Sequence, residues 1–345
     1  MVAVLKIPDY EREVQMVKIA LVGCGWIAGP HIESIITFDN AKIVGVIDKN
    51  KEQAEKRAAM CGAKVFDKLS DCLSLVDMVF VLTPPSSHRE IAVEAMRAGK
   101  HVVVEKPISS SVEDAEIMVE EAKKNNVKLM LAFNMRFRTG FMKLHEFANS
   151  DKLGTPITYW CQRQGLRVDA SNKWSTDPLL MTGMTIQSLS HDIDTMRWIA
   201  GEVLSTTAIV QESRPNLPGF DDNTNAIFNL ESGACANFQS SWSSHVGFNT
   251  RGILGTNGTA YVGGSDLWTL DFFRFKTHDM EFEQVEWLYD KHDLHSFTRE
   301  DRYFIDCVEK DLTPTITGED GLKALKISYG MLQSHRTGNT VKLKY

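Results

Sequence analysis

The sequence predicts an α/β chain in two parts: an N-terminal doubly wound parallel sheet of the Rossmann type, then an α+β domain with a large, mostly antiparallel open sheet. Three observations carry this. From residue 17 to residue 133 short β-branched runs alternate with helical stretches, the rhythm of parallel strands covered on both faces. Beyond about residue 137 strand-like runs follow one another with turns between them and few helices. A length of 345 residues exceeds one ordinary domain and suits two of roughly 100–200 residues each.

In the first part the predicted strands are 17–22, 42–47, 63–66, 78–83, 101–105 and 128–133, and the helices between them 26–37, 51–60, 88–98 and 112–125. Ser111, followed by Glu113 and Asp114, is an N-cap with acids in the first turn, and Gly99 falls where a helix should stop. Residues 1–16 read as an extension, 17–136 as the doubly wound domain and 137–345 as the second domain. There the predicted strands are 157–164, 206–212, 226–230, 234–240, 251–254, 259–262, 270–275 and 284–288, with a hairpin turn at Glu231-Ser232-Gly233. A helix over 186–200 covers one face, and a last helix over about 319–335 is expected back at the domain junction. The other face either meets solvent or pairs with a second copy. Trp242, Trp268, Phe272, Phe273 and Trp287 are expected to furnish that interface, in a homodimer or homotetramer.

Composition excludes several classes. Hydrophobic residues make up 43% and charged residues 24%, as in ordinary globular proteins. The net charge of −7 provides no basic field for a nucleic acid. Apolar runs such as 78–82 and 102–104 fall far short of the ~20 residues a membrane span needs. No apolar segment with a cleavage site directs export. The six cysteines form no C-x-x-C pair, which suits reduced thiols in a cytoplasmic protein without a structural metal.

The first strand runs into Gly23-Cys24-Gly25-Trp26-Ile27-Ala28, a G-x-G-x-x-A pattern opening a helix. Gly23 permits the tight turn, Gly25 lets backbone approach a pyrophosphate, and Ala28 allows close packing. The phosphates would rest on the helix N-terminus. The second strand ends at Asp48, 23 residues after Gly25, near the spacing of the acid that accepts from both ribose hydroxyls. A carboxylate there repels a 2′-phosphate and favours NAD, although Lys49 beside it leaves NADP open. The alternative role for Asp48 is to cap the helix starting near Lys51.

Later strands end in Thr83-Pro84-Pro85-Ser86-Ser87-His88, Glu105-Lys106-Pro107 and Asn134-Met135-Arg136-Phe137. His191-Asp192-Ile193-Asp194 and Gly318-Glu319-Asp320-Gly321-Leu322 follow in the second half. In order and spacing, from Val17 to the C-terminus, this set resembles the glucose-fructose oxidoreductase, inositol dehydrogenase and MocA family. The resemblance implies an NAD(P)-dependent oxidoreductase acting on a secondary alcohol or ketone of a sugar, cyclitol or related polyol, with the second sheet used for oligomerisation. It implies that Lys106 and Pro107, with Glu105 of the same triplet, sit at the nicotinamide pocket. Thr83, Pro84 and His88 would line the dinucleotide, and Trp26 and Ile27 would cover the pyrophosphate.

Oxidising an alcohol releases a hydride, which a nicotinamide takes, and a proton, which the protein must take. Lys106, at a strand end, can stabilise developing alkoxide charge through its ammonium. His191 is expected to be the proton acceptor, since an unperturbed imidazole titrates near ~6.5; the resemblance is what marks it as catalytic. One helical turn earlier stands Gln187, where many family members hold an aspartate, and an amide can orient a hydroxyl but cannot hold a proton. Asn134 and Arg136 are expected to touch substrate or cofactor or to position the interdomain connection, and Trp174 to stack on a sugar face. Asp192 and Asp194 either touch catalysis or orient helix and backbone. Two other readings stay open: a glycosidase that uses bound NAD for transient oxidation, and a non-catalytic dinucleotide-responsive regulator.

Overall fold

A computed structural model of the protein describes residues 16–167, 183–214, 217, 219–290 and 295–345. The expected extension over 1–16, apart from Met16, and Trp174 lie outside the described residues. The first sheet comprises β1 (Val17–Val22), β2 (Ala41–Ile47), β3 (Lys64–Val65), β4 (Met78–Val81), β5 (His101–Glu105) and β6 (Leu129–Ala132). All neighbours are parallel, in the order β3-β2-β1-β4-β5-β6. Because β1 and β4 lie side by side and their connections leave in opposite directions, a crevice opens at their carboxyl ends. Helices α1 (Ala28–Ile35), α2 (Lys51–Cys61), α3 (His88–Arg97) and α4 (Val112–Lys124) alternate with the strands. Side chains fix their starts: Asn50 accepts from the Gln53 N–H ahead of α2, and Ser111 from that of Asp114 ahead of α4. β4 is buried along its whole length, as expected of a strand covered on both faces.

The second sheet contains β7 (Pro156–Leu166), β8 (Val203–Gln211), β9 (Asn223–Leu230), β10 (Cys235–Ser241), β11 (Ser243–Gly255), β12 (Gly258–Gly264), β13 (Leu270–Thr277), β14 (Gln284–Asp290) and β15 (Val341–Lys342). Its order is β14-β13-β12-β11-β7-β10-β9-β8-β15, antiparallel except where β10 runs parallel to β7. Alternation along β7 buries Tyr159, Cys161 and Arg163 and leaves Thr158, Trp160 and Gln162 half-exposed. The buried face meets α5 (Thr139–Ala148) and α7 (Leu189–Ala200), the latter preceded by α6 (Gly183–Gln187). Two more helices return to the first domain. α8 (His295–Glu309) packs on α1 and β1, and α9 (Gly318–Thr337) lies between α4 and β6 on one side and α7 and β8 on the other. Gly321 permits that approach, since a Cβ there would stand 2.2 Å from a Leu131 methyl.

Helices α5 and α8 were not legible in the sequence. In α8 the buried stripe includes Glu300 and Asp301 beside Phe297, Phe304 and Ile305, so acids at core positions hide its helical period. The aromatic residues expected on the open face require correction too. Trp242 is fully buried and stacks on Phe220, Phe273 is buried against Phe147, and Trp268 turns toward the cleft between the domains. Phe273 takes the inward phase of β13, whereas Trp242 and Trp268 lie in the bends between strands, outside the alternation. Ile209, Ile227, Leu254 and Trp287 are among the large apolar side chains exposed on this sheet.

Candidate active site

The turn after β1 is tight because Gly23 takes φ 102°, and a Cβ there would meet Leu82 backbone at 2.6 Å. Gly25 is the opposite case: a Cβ would touch nothing within 4 Å, so its surface is open to a ligand. Asp48, at the end of β2, accepts from the N–H of Cys24 at 2.6 Å and of Asn50 at 2.7 Å. Each carboxylate oxygen keeps a further lone pair for a ribose hydroxyl. Arg57 of α2 clamps the loop from behind, donating to the Gly25 carbonyl at 2.8 Å; an isolated arginine in a helix gave no signal in the sequence. Trp26, 70% exposed, stands with Ile27 at the rim of the cleft.

Beyond β4, Ser87 Oγ donates to Thr83 Oγ1 at 2.8 Å and closes the turn through Pro84. His88 does not face a ligand. Its ring is buried, with Nε2 2.7 Å from the Thr83 carbonyl and Nδ1 3.1 Å from that of Pro107. It braces the turn after β4 against the turn after β5, so any effect on a dinucleotide passes through those backbones. Pro107 is buried behind a cis Lys106–Pro107 peptide.

The carboxyl ends of β1 and β5 and the inner face of the second sheet enclose a cleft of about 800 Å³. Glu105, Lys106, Asn134, Gln187 and His191 all line it, which brings together residues up to 86 positions apart in the sequence. Lys106 Nζ donates to the Gln187 carbonyl at 3.2 Å. Burial pushes the Lys106 ammonium down to about 8; Glu105 offsets part of this, and Arg167 and Arg163 add to it. His191 is buried, its ring edge against Phe133, and its Nδ1 has no hydrogen-bond partner among the described residues. Burial, then the charges of Lys106 and Arg163, hold its pKa well below the ordinary imidazole value. This corrects the expectation that His191 titrates near neutrality. With cations around it and an amide at 187 in place of an acid, its protonated form has no support.

Arg136 is not in the cleft. Its guanidinium grips Asp194 of α7 at 2.6 and 2.8 Å and reaches Asp320 of α9 at 3.3 Å, so of its two expected roles it fills the interdomain one. Asp194 is thereby spent. Asp192 is spent too: Arg163 of β7 stands 3.0 Å from one of its oxygens, and Arg251 of β11 donates to the other at 3.0 Å. All three side chains are fully buried. Neither arginine was marked by the sequence, because partners on β7, α7 and β11 share no local motif.

A second buried cluster lies beneath Glu105. His31 of α1 meets Asp301 of α8 at 2.7 Å through Nδ1, and its Nε2 points to Glu105 at 3.6 Å. Glu300 is buried beside them with neither carboxyl oxygen hydrogen-bonded among the described residues. Burial lifts the Glu300 carboxyl well above its usual range, and Asp301 and Glu105 lift it further. Burial alone would lower His31, but the Asp301 and Glu105 carboxylates outweigh it and raise the imidazole.

Comparison with known proteins places two family models on the chain: "Oxidoreductase family, NAD-binding Rossmann fold" over residues 17–133 and "GFO/IDH/MocA C-terminal domain" over 141–261. The chain is 26% identical to myo-inositol 2-dehydrogenase of Thermotoga maritima, covering 95% of this chain and 98% of that one. It is 24% identical to scyllo-inositol 2-dehydrogenase (NAD(+)) of Bacillus subtilis, covering 95% and 96%. Among solved structures, the WlbA dehydrogenase from Bordetella pertussis in complex with NADH and UDP-GlcNAcA superposes with a TM-score of 0.82 at 24% identity, over 96% of this chain and 99% of that one. Among the described residues no helix is long and apolar enough to cross a membrane.

Proposed function

The chain belongs to the GFO/IDH/MocA family of NAD-binding oxidoreductases, and from that premise we propose that it moves a hydride between NAD and a secondary carbinol of a sugar, cyclitol or related polyol. The observation that carries this reading is the convergence of Lys106 and His191 on one cleft beside the glycine loop. The loop itself fits the dinucleotide: an open surface at Gly25, a helix N-terminus behind it and the Asp48 carboxylate at the end of the neighbouring β2. The inositol dehydrogenases among the relatives support a polyol substrate.

When bound, the nicotinamide supplies the hydride acceptor. The chain's own residues handle the proton. Lys106, with an ammonium that titrates near 8, is the group matched to exchanging a proton at physiological pH. In its neutral form it takes the hydroxyl proton as the carbinol becomes a carbonyl, and as an ammonium it returns that proton in reduction. His191, held neutral, hydrogen-bonds the reacting oxygen through the ring nitrogen facing the cleft and fixes which carbon is presented. Gln187 and Asn134 orient neighbouring hydroxyls. Arg136, through Asp194 and Asp320, keeps α7 and α9 in register so that His191 faces Lys106.

The exposed Ile209, Ile227, Leu254 and Trp287 support pairing of the second sheet with a further copy, which light scattering on the eluting protein would read as a mass above that of one chain. The reaction is tested by incubating the protein with NAD and a panel of polyols while following the absorbance of the reduced cofactor. Turnover that needs Lys106 supports the reading, and none with any polyol, in either direction, overturns it.

A further inference from the structure

Among the described residues Trp26, Phe297 and Trp268 bring aromatic rings to the cleft. Trp26 belongs to the glycine-loop turn on the dinucleotide's side, and Phe297 is buried with its ring at 86° to that of His31. Trp268 comes from the second domain, which also supplies Gln187 and His191 to the cleft. Several contacts fix where its ring stands. Residues 265–269 bend between β12 and β13 and press onto glycines: a Cβ at Gly165 of β7 would meet Leu267 at 2.5 Å, and one at Gly264 would meet the Thr269 carbonyl oxygen at 1.8 Å. Asp266 accepts from the N–H groups of Trp268 and Thr269 at 2.7 Å each. Asn249 donates to the carbonyls of Asp266 and Thr269 at 2.6 and 2.7 Å, and Arg138 to that of Trp268 at 2.6 Å. The Arg163 guanidinium lies 4.6 Å from the centre of the Trp268 ring. Arg163 is fully buried, stands 3.0 Å from Asp192 and donates to Ser188, so the ring is held in register with the helix that carries His191.

We propose that Trp268 is the wall on which the substrate lies, its indole covering the C–H face of a six-membered cyclic polyol, a pyranose or cyclitol, and so selecting ring substrates over open-chain ones. A ring with mostly equatorial hydroxyls turns its C–H bonds to its faces and its oxygens to its edge. Laying one face on an indole removes apolar surface from water and leaves the edge hydroxyls to Lys106, His191, Gln187 and Asn134, which line the same cleft. An open-chain polyol has no such face and loses the rotation of its bonds when it binds. Because backbone partners and Arg163 already hold Trp268, little ordering of the wall is left to the binding step.

The inference rests on the polyol reading above, and its test separates the two. Cyclic polyols (myo-inositol, scyllo-inositol, glucose) and open-chain ones (sorbitol, mannitol) are compared by kcat/KM with NAD. A cyclic member is expected to lead by about tenfold or more. Trp268→Ala should raise KM for that member about tenfold while kcat and the Kd of NADH stay within about threefold, and the ring preference should shrink to match. Trp268→Phe should keep most of the preference, because a smaller ring still offers a face. If Trp268→Ala does not fold, Trp268→Leu takes its place, and is expected to lose what Trp268→Phe keeps. An open-chain member in the lead, a preference unaltered by loss of the ring, or an equal fall in kcat for both classes would overturn the inference and leave the polyol reading standing. If no polyol is turned over, the polyol reading fails. Calorimetric titration of myo-inositol and sorbitol into the NADH-loaded protein then decides the wall alone: binding of the cyclic polyol that Trp268→Ala loses supports it, and absence of binding counts against it.

Discussion

Lys106 and His191 share a cleft but not a task. Because burial and the arginines set the Lys106 ammonium near 8 while keeping His191 neutral, the pH profile of kcat/KM should have one limb in the physiological range. Polyol oxidation needs unprotonated Lys106, so its rate rises with pH and levels off above an apparent pKa near 8. Reduction needs the ammonium and falls through the same value. Lys106→Met should lower kcat/KM by about 10³-fold and abolish that limb. His191→Ala should cost about 10²-fold with the limb kept, because a hydrogen bond to the reacting oxygen is lost but the proton carrier remains. A limb near 6 to 7 that disappears in His191→Ala would reverse these assignments. Lys106 and His191 were legible in the sequence because each sits in a motif. Their titration behaviour was not, since it arises first from burial in the folded cleft and then from charges such as Arg163, which reaches both groups from β7.

At the scale of elements, the glycine loop makes a sharper test than its pattern suggests. Gly23 and Gly25 look equivalent in G-x-G, yet the structure gives them different burdens. Gly23→Ala puts a methyl into Leu82 backbone at a positive φ and should destabilise the fold by about 2 kcal/mol or more. Gly25→Ala enters open space; it should leave Tm within a degree or two but weaken NAD binding about tenfold or more, by occupying the surface a pyrophosphate approaches. Thermal denaturation with and without NAD measures both. The parallel strands and their helices were readable because each carries its own period and caps. Helix α8 was not, because Glu300 and Asp301 occupy its inward face, and their partner His31 is 269 or more residues away. The bracing role of His88 was hidden for a related reason: a histidine opening a helix shows in sequence neither its burial nor the carbonyls that claim its ring.

For the whole molecule, the chain does not divide cleanly at the point where its texture changes. Residues after 295 supply α8 and α9 to the first domain, so the two domains are tied by the buried His31–Asp301 and Arg136–Asp194–Asp320 contacts. The first of these makes stability pH-dependent. Glu300 and His31 both have raised folded pKa values, so their protons favour the folded state. That contribution is full below the unfolded values, about 4.3 for Glu and 6.5 for His, and is lost as pH climbs through the folded ones. Tm should therefore fall as pH climbs above these unfolded values, and Glu300→Gln should flatten the fall, because an amide has no proton to lose. An unchanged slope in that variant would mean that Glu300 is not held protonated.

The reaction proposed for the cleft is hydride transfer between a carbinol carbon and NAD. Its most direct test uses a polyol deuterated at the oxidised carbon, with mass spectrometry of the cofactor and of the sugar after turnover. Reduced cofactor one mass unit heavier than the unlabelled form is expected, in equal amount to the ketone formed, with its loss in Lys106→Met. Cleavage of a glycosidic bond with no reduced cofactor accumulating, or reduced cofactor without the label, would contradict it.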